Sequence, residues 1–263
     1  MRVALCQISS TASPSDNLSL IRDSVARAAE AGAAVALFPE ATMASFGTPL
    51  GPLAEPVDGP WATAVAEIAT EHDMLVVAGM FSPSPDGRVF NTLLATGKGQ
   101  HVGYDKIHLF DAFGFAESKT VAPGSELAVV SVDDVTFGLA TCYDIRFPEL
   151  FTRLADRGAT AVLLGASWGA GEGKREQWEL LVRARALDST SWLLACGQAD
   201  PKVSGVAVHP KAPTGIGYST VASPNGQVHA QLAAGPDLLV VDLDLGLVES
   251  TRETIPVLAN RRL

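Results

Sequence analysis

Thr136-Phe137-Gly138-Leu139-Ala140-Thr141-Cys142-Tyr143-Asp144-Ile145-Arg146-Phe147-Pro148-Glu149-Leu150 reads as an apolar strand that ends on a cysteine and turns within a few residues into a helix opened by Pro148. Cys142 sits at the hinge. The partial positive charge of a helix start and its backbone N–H donors give such a thiol two reasons to ionise, and the thiolate is the nucleophilic form. A cysteine in an apolar run is as readily a small core residue, so the surrounding chain has to decide.

Upstream, Leu127 to Val132, the Asp133-Asp134 turn and Val135 to Thr141 form a hairpin that delivers Cys142. Downstream, the Pro148 helix carries Leu150, Phe151 and Leu154 inward, with Gly158 behind it. Thr160 to Gly165 is a strand, Lys174 to Ser189 a helix with Trp178, Leu181, Val182 and Leu187, and Ser191 to Cys196 another strand. The same helix-strand-helix-strand order occurs earlier. Asp16-Asn17 caps a helix with Leu18, Ile21, Val25 and Ala28 on one face, closed by Gly32; Ala34 to Phe38 is a strand; Gly59-Pro60 opens a helix with Trp61, Val65 and Ile68; Met74 to Gly79 is a strand. Two hairpin turns, Pro83 to Gly87 and Gly97 to Gly99, then lead into a strand from His101 to Lys106, and Ile107 to Gly124 is an irregular loop. A late hairpin turns at Pro224-Asn225-Gly226, and Leu238 to Leu243 is the last strand before a polar tail from Glu249 to Leu263.

Central strands buried on both faces are continuously apolar, as Ala34 to Phe38, Met74 to Gly79 and Ala161 to Gly165 are. Two similar halves, each supplying two helices to one outer layer, predict an α/β fold: a four-layer α-β-β-α sandwich over residues 1–263, without a linker that would divide it. An open doubly wound sheet competes, but the tight hairpins and the lack of a glycine fingerprint between strand and helix count against it.

A net charge of -10, with no Lys/Arg cluster beyond Arg261-Arg262, argues against nucleic acid or an anionic membrane as partner. The opening Met1-Arg2-Val3-Ala4-Leu5-Cys6-Gln7-Ile8 is too short and too soon polar for a signal peptide, and no apolar run reaches membrane-spanning length, so a cytoplasmic location is expected. The three cysteines, Cys6, Cys142 and Cys196, lack metal or redox-pair spacing; Cys6 and Cys196 lie inside apolar runs and read as core.

Two more strand ends carry polar groups. Glu40 follows Ala34 to Phe38 on a Phe-Pro-Glu step, and Lys106 ends a strand and precedes Ile107-His108-Leu109-Phe110. Each alone is bland: a solvated glutamate, a surface lysine paired with Asp105. Together with Cys142 they suit attack on an amide or nitrile carbon, with a carboxylate taking the thiol proton and an ammonium holding the oxyanion. A histidine-based cysteine site is the alternative, with His72, His101, His108, His209 and His229 available; His108 lies two residues beyond Lys106, but nothing else marks it as a base.

The segments Leu37-Phe38-Pro39-Glu40, Tyr104-Asp105-Lys106-Ile107-His108-Leu109-Phe110 and Cys142 to Leu150 resemble, in order, the three signatures of the nitrilase superfamily of carbon-nitrogen hydrolases. The likeness runs from Val3-Ala4-Leu5-Cys6-Gln7 through Gln177-Trp178-Glu179 to the late hairpin. The resemblance implies an α-β-β-α sandwich that forms a homodimer or a higher homo-oligomer. It also implies Glu40 as general base, Lys106 as oxyanion cation, Cys142 as nucleophile, the Tyr143 backbone N–H as second oxyanion donor, and Glu117 as the residue that positions Lys106 or the substrate. No metal or organic cofactor is implied. Asp144 and Arg146 read as a structural pair, with substrate contact by Arg146 as the alternative; Trp168 falls where the family lines its pocket, or simply packs.

The runs Asp105 to Asp111 and Cys142 to Leu150 look most like the branches containing ω-amidases and deaminated-glutathione amidases, and Tyr143 stands where true nitrilases typically carry tryptophan. The expected reaction is therefore hydrolysis of a small carboxylate-bearing amide through a cysteine thioester, releasing ammonia. The loop Ala112 to Ala116 is shorter than in typical ω-amidases, and Gly165 to Gly171 lacks that branch's aromatic pattern. N-carbamoyl hydrolysis, a silent scaffold and a redox-sensing thiol are the other readings; the intact Glu40-Lys106-Cys142 set and the absence of a resolving cysteine count against the last two.

Overall fold

The computed structural model describes residues 1–207, 209 and 212–262. The first half of the chain builds β1 (Arg2–Gln7), α1 (Pro14–Glu30), β2 (Val35–Leu37), α2 (Pro60–Glu71), β3 (Leu75–Pro83), β4 (Val89–Gly97) and β5 (Gln100–Asp105). The second builds β6 (Val129–Val132), β7 (Val135–Thr141), α3 (Pro148–Asp156), β8 (Ala161–Ala166), α4 (Lys174–Ser189), β9 (Trp192–Gly197), α5 (Pro201–Ser204), β10 (Thr220–Ala222), β11 (Val228–Gln231), β12 (Asp237–Asp242), α6 (Leu245–Thr254) and α7 (Val257–Asn260).

The strands form two six-stranded sheets, ordered β12-β1-β2-β3-β4-β5 and β11-β10-β9-β8-β7-β6. Each has three parallel strands at its centre, β1-β2-β3 or β7-β8-β9, flanked by antiparallel neighbours. The sheets face one another, β1 over β9, β3 over β8, β4 over β7 and β5 over β6. Leu5, Leu37 and Val77 from one sheet and Leu139, Leu163 and Leu194 from the other fill the space between them. On the outer face of the first sheet the small residues Ala4, Cys6, Ala36 and Ala78 pack, beside Val76, Met80 and Leu94, against Ile21 and Val25 of α1 and Trp61 and Val65 of α2. Phe151, Leu154, Trp178 and Val182 of α3 and α4 cover the second sheet. The result is the four-layer α-β-β-α sandwich.

Three expectations need correction. The cap of α1 is Ser13, whose hydroxyl accepts the Asp16 N–H at 3.3 Å. Asn17 is instead buried one turn in, and bonds both Thr11 and the Met43 carbonyl. Leu187 is 40% exposed, because the buried stripe of α4 runs through Trp178, Val182, Arg185, Ala186 and Ser189. The polar tail opens within α6, which Asp244 caps; its Val248 and Thr251 are buried, and Arg252 donates to the Ala159 carbonyl at 2.9 Å. Leu263 lies outside the described residues. Among the described residues no helix is long and apolar enough to cross a membrane.

Candidate active site

Glu40 leaves the end of β2 on a tight turn. Ala41 takes φ 58°, Thr42 Oγ1 donates to the Pro39 carbonyl at 2.7 Å, and Gly79 N donates to the same carbonyl at 3.2 Å. Gly79 of β3 and Gly165 of β8 press on this turn from either side. A Cβ on Gly79 would lie 2.6 Å from Ala41 N, an approach that requires glycine, and one on Gly165 would lie 3.0 Å from Glu40 N, tight enough that the turn would have to give by a few tenths of an ångström. The turn is thus held between the sheets, and its carboxylate is 1% exposed.

Lys106, directly after β5, puts its ammonium 2.9 Å from Glu40 Oε1 and 2.8 Å from Glu117 Oε2. Glu117 opens a short 3-10 turn in the 107–124 loop, and also accepts the Phe110 N–H at 2.7 Å. Burial by itself would lower the Lys106 pKa, but the charges of Glu117 and Glu40 outweigh it and hold the ammonium's pKa well above its usual value. Burial would likewise raise Glu117, and Lys106 overcomes this to keep its carboxyl below the usual range. The cluster therefore carries two carboxylates on one ammonium. Asn91 of β4 joins it, donating to Glu40 Oε1 at 2.8 Å and to Glu117 Oε1 at 3.0 Å, while the Ser167 N–H donates to Glu40 Oε2 at 2.8 Å.

Cys142 directly follows β7, with φ 45°, and begins a 3-10 turn over Cys142–Arg146. A non-glycine residue in this left-handed region is held there by its surroundings. Asp144 does the holding. It accepts from the Thr141 N–H at 2.9 Å, Tyr104 OH at 2.7 Å, and the His108 N–H and ring Nδ1 at 3.0 and 2.8 Å. His108 also stacks on Phe147 at 3.7 Å, so it braces the nucleophile's turn and does not face the pocket. The expected ionised thiol is not found: burial first, and then the charge of Glu40, push the Cys142 pKa well up, against the opposing effect of Lys106. The resting sulfur is a thiol. Tyr143 is second in the 3-10 turn, where a helix-start N–H has no intrahelical carbonyl.

Glu40, Lys106, Glu117, Cys142, Tyr143 and Trp168 all line one pocket. Arg146 lines it too. It is not paired with Asp144: it donates to Gln177 Oε1 at 2.7 Å, and its guanidinium lies 5.2 Å from the Trp168 ring centroid and 5.7 Å from that of Tyr143. Trp168 does both things expected of it, lining the pocket and packing on Trp178 at 5.3 Å, with its Nε1 donating to the Lys174 carbonyl. Lys174, at the start of α4, lies 3.3 Å over the Phe113 ring. Burial, and then the Arg146 charge, lower its pKa. Asn91, Ser167 and Lys174 are the site residues that strand-end reasoning passes over. Asn91 had one signal, a lone amide at the head of an apolar strand.

Residues 2–253 match the sequence profile described as carbon-nitrogen hydrolase. The chain belongs to that family. Among its relatives, a Mycobacterium tuberculosis protein named only as a hydrolase is 55% identical over 267 residues, covering 99% of this chain and 95% of the relative. The deaminated glutathione amidase of Escherichia coli O157:H7 is 33% identical (100% and 97% covered), and the omega-amidase of Mus musculus is 33% identical (99% and 95% covered). Of solved carbon-nitrogen hydrolases, Saccharomyces cerevisiae Nit3, a member of branch 10 of the nitrilase superfamily, superposes with TM-score 0.84 at 25% identity, covering 100% of this chain and 97% of that one. A mutant amidase from Nesterenkonia sp. AN1, whose active-site cysteine carries the acetamide moiety of fluoroacetamide, superposes with TM-score 0.80 at 27% identity (100% and 94% covered). The chain is thus an enzyme of the nitrilase superfamily, with amidases among its relatives.

Proposed function

We propose that this carbon-nitrogen hydrolase is an amidase that cleaves a small carboxylate-bearing amide through a Cys142 thioester and releases ammonia. The observation that carries the reading is the meeting of Glu40, Lys106 and Cys142, from three separate strand ends, at one pocket. Because burial and Glu40 keep the sulfur protonated at rest, the proton passes to Glu40 as Sγ attacks the amide carbon. The oxyanion forms against the Lys106 ammonium and the Tyr143 backbone N–H. As the tetrahedral adduct collapses, Glu40 returns the proton to the departing nitrogen. Glu40 then takes a proton from water, whose oxygen attacks the thioester, and the thiol is restored when the acid leaves. The cysteine adduct in the Nesterenkonia amidase supports the covalent step.

The carboxylate requirement is supported by two cations in the pocket wall. Among the described residues, neither Arg146 nor Lys174 is ion-paired, and burial followed by the Arg146 charge makes Lys174 harder to keep protonated. An anion placed between them relieves that repulsion. The test is ammonia release from ω-amides, deaminated glutathione, neutral aliphatic amides, N-carbamoyl compounds and nitriles, with Cys142→Ala as control. Turnover of carboxylate-bearing amides, lost in Cys142→Ala, is expected. Lys174→Met should raise KM for those amides about tenfold and leave neutral amides unchanged, since a charge-assisted contact is worth about 1.5–3 kcal/mol. Equal KM changes for both classes would remove the carboxylate from the substrate.

A further inference from the structure

We infer that Asn91 is a positioning residue that selects Oε2 of Glu40 as the proton-accepting atom and keeps Glu40 and Glu117 from sharing a proton. Asn91 lies at the head of β4, 1% exposed, and its backbone carbonyl accepts the Lys106 N–H at 2.9 Å, so it sits beside the cation on the sheet. Its amide nitrogen is 2.8 Å from Glu40 Oε1 and 3.0 Å from Glu117 Oε1. An amide NH2 has two protons, and here each meets a carboxylate. The opposite orientation would set a carbonyl oxygen against two carboxylates, so the chemistry fixes which end points in.

The other end of the side chain argues that this is not packing. Asn91 Oδ1 is buried with no hydrogen-bond partner. An orphaned acceptor costs about 1–3 kcal/mol, which an apolar residue of the same size would not incur. The amide is retained for its N–H groups. The consequence falls on Glu40. Oε1 receives Asn91 and Lys106, which fills both its lone pairs, whereas Oε2 receives the Ser167 N–H, and the Cys142 thiol is in hydrogen-bond contact with this same carboxylate. One lone pair on Oε2 is left to take a proton. The Cys142 proton therefore moves from Sγ to Oε2 as the sulfur–carbon bond forms, and leaves Oε2 for nitrogen as the carbon–nitrogen bond breaks. Glu40 from the β2 turn, Lys106 from the end of β5, Glu117 from the 3-10 turn and Cys142 just after β7 meet at this point, and Tyr143 and Arg146 of the following 3-10 turn and Lys174 at the start of α4 line the same pocket. Without the Asn91 donors, two carboxylates close to one ammonium can bridge through a shared proton, which takes the base out of use.

The second half of this cycle rests on the amidase reading, but the first half does not, and the test uses only the first. The rate constant for alkylation of Cys142 by iodoacetamide is followed from pH 5 to 9 in the wild type, Asn91→Leu and Asn91→Ser, with Cys142→Ala as blank. Alkylation displaces iodide and leaves the probe's C–N bond intact, so a substrate panel without turnover would leave the result standing. The acid limb of the Asn91→Leu profile should move up by about one pH unit, making alkylation at a fixed pH on that limb about tenfold slower. Asn91→Ser, with one donor left, should fall between. If Asn91→Leu does not fold, the Asn91→Ser profile decides. A wild-type profile in every folded variant, whatever its melting temperature, would reduce Asn91 to a structural residue.

Discussion

At the scale of single residues, Lys106 is the charge on which the others depend. Its ammonium is 2% exposed and holds two carboxylates that are themselves buried. Glu117's contribution to stability is complete above the ordinary glutamate pKa of about 4.3 and is lost as pH falls through its lowered folded value; that of Lys106 is complete below the ordinary lysine value of about 10.4 and is lost only as pH rises through its raised one. The contribution of these two groups to wild-type stability is therefore flat between about pH 5 and 7. In Lys106→Met two buried carboxylates remain without a cation, at a cost of about 3–5 kcal/mol at pH 7, and acidification relieves it. The melting temperature of the variant should rise from pH 7 to pH 5 while that of the wild type does not; parallel curves would show that the carboxylates do not depend on Lys106. Glu40, Lys106 and Cys142 were legible because each is a polar group at the end of an apolar strand. What lies opposite each was not. The thiol's protonation follows from burial first and then from Glu40, remote in sequence, and Arg146 turns from Asp144 because Asp144 is already filled by Tyr104, His108 and Thr141.

At the scale of elements, the β2 turn shows how a strand end becomes a precise site. Alanine at position 79 would place its Cβ 2.6 Å from a backbone nitrogen and must displace the turn, whereas alanine at 165 meets its nearest atom at 3.0 Å. Since a displacement of about 1 Å at a reacting group costs about 100-fold, Gly79→Ala should lower kcat by about that factor and Gly165→Ala by less, as steady-state kinetics would measure. Equal, small effects would mean that the turn can slide without harm. Element reading succeeded where periodicity and punctuation agree, as in α4, whose observed span Lys174–Ser189 is the expected one. It failed for α6, where Leu245, Val248 and Thr251 are diluted by polar neighbours and burial comes from the Arg252 contact with Ala159, a residue remote in sequence. Ser13 was passed over as a cap because Asp16 and Asn17 are equally good cap residues by type, and only geometry ranks them.

At the scale of the whole molecule, the two sheets divide the site between them. Glu40, Asn91 and Lys106 belong to the first, and Cys142 and Ser167 to the elements of the second. The doubling of helix-strand-helix-strand and the packing of two sheets at the centre were visible in the sequence, but not which residues pair across the sheets at the site, because that depends on which small residues turn outward and which large ones turn in. In low urea, below the unfolding transition, turnover should decline while far-ultraviolet circular dichroism is unchanged, because the sheets can shift against one another before either melts. Loss of both signals together would mean that the sheets part only on unfolding. Each half of this molecule thus holds an incomplete set of reagents, and the reaction works as a vernier between them: it reads, in a rate, how squarely two independent rulers are aligned.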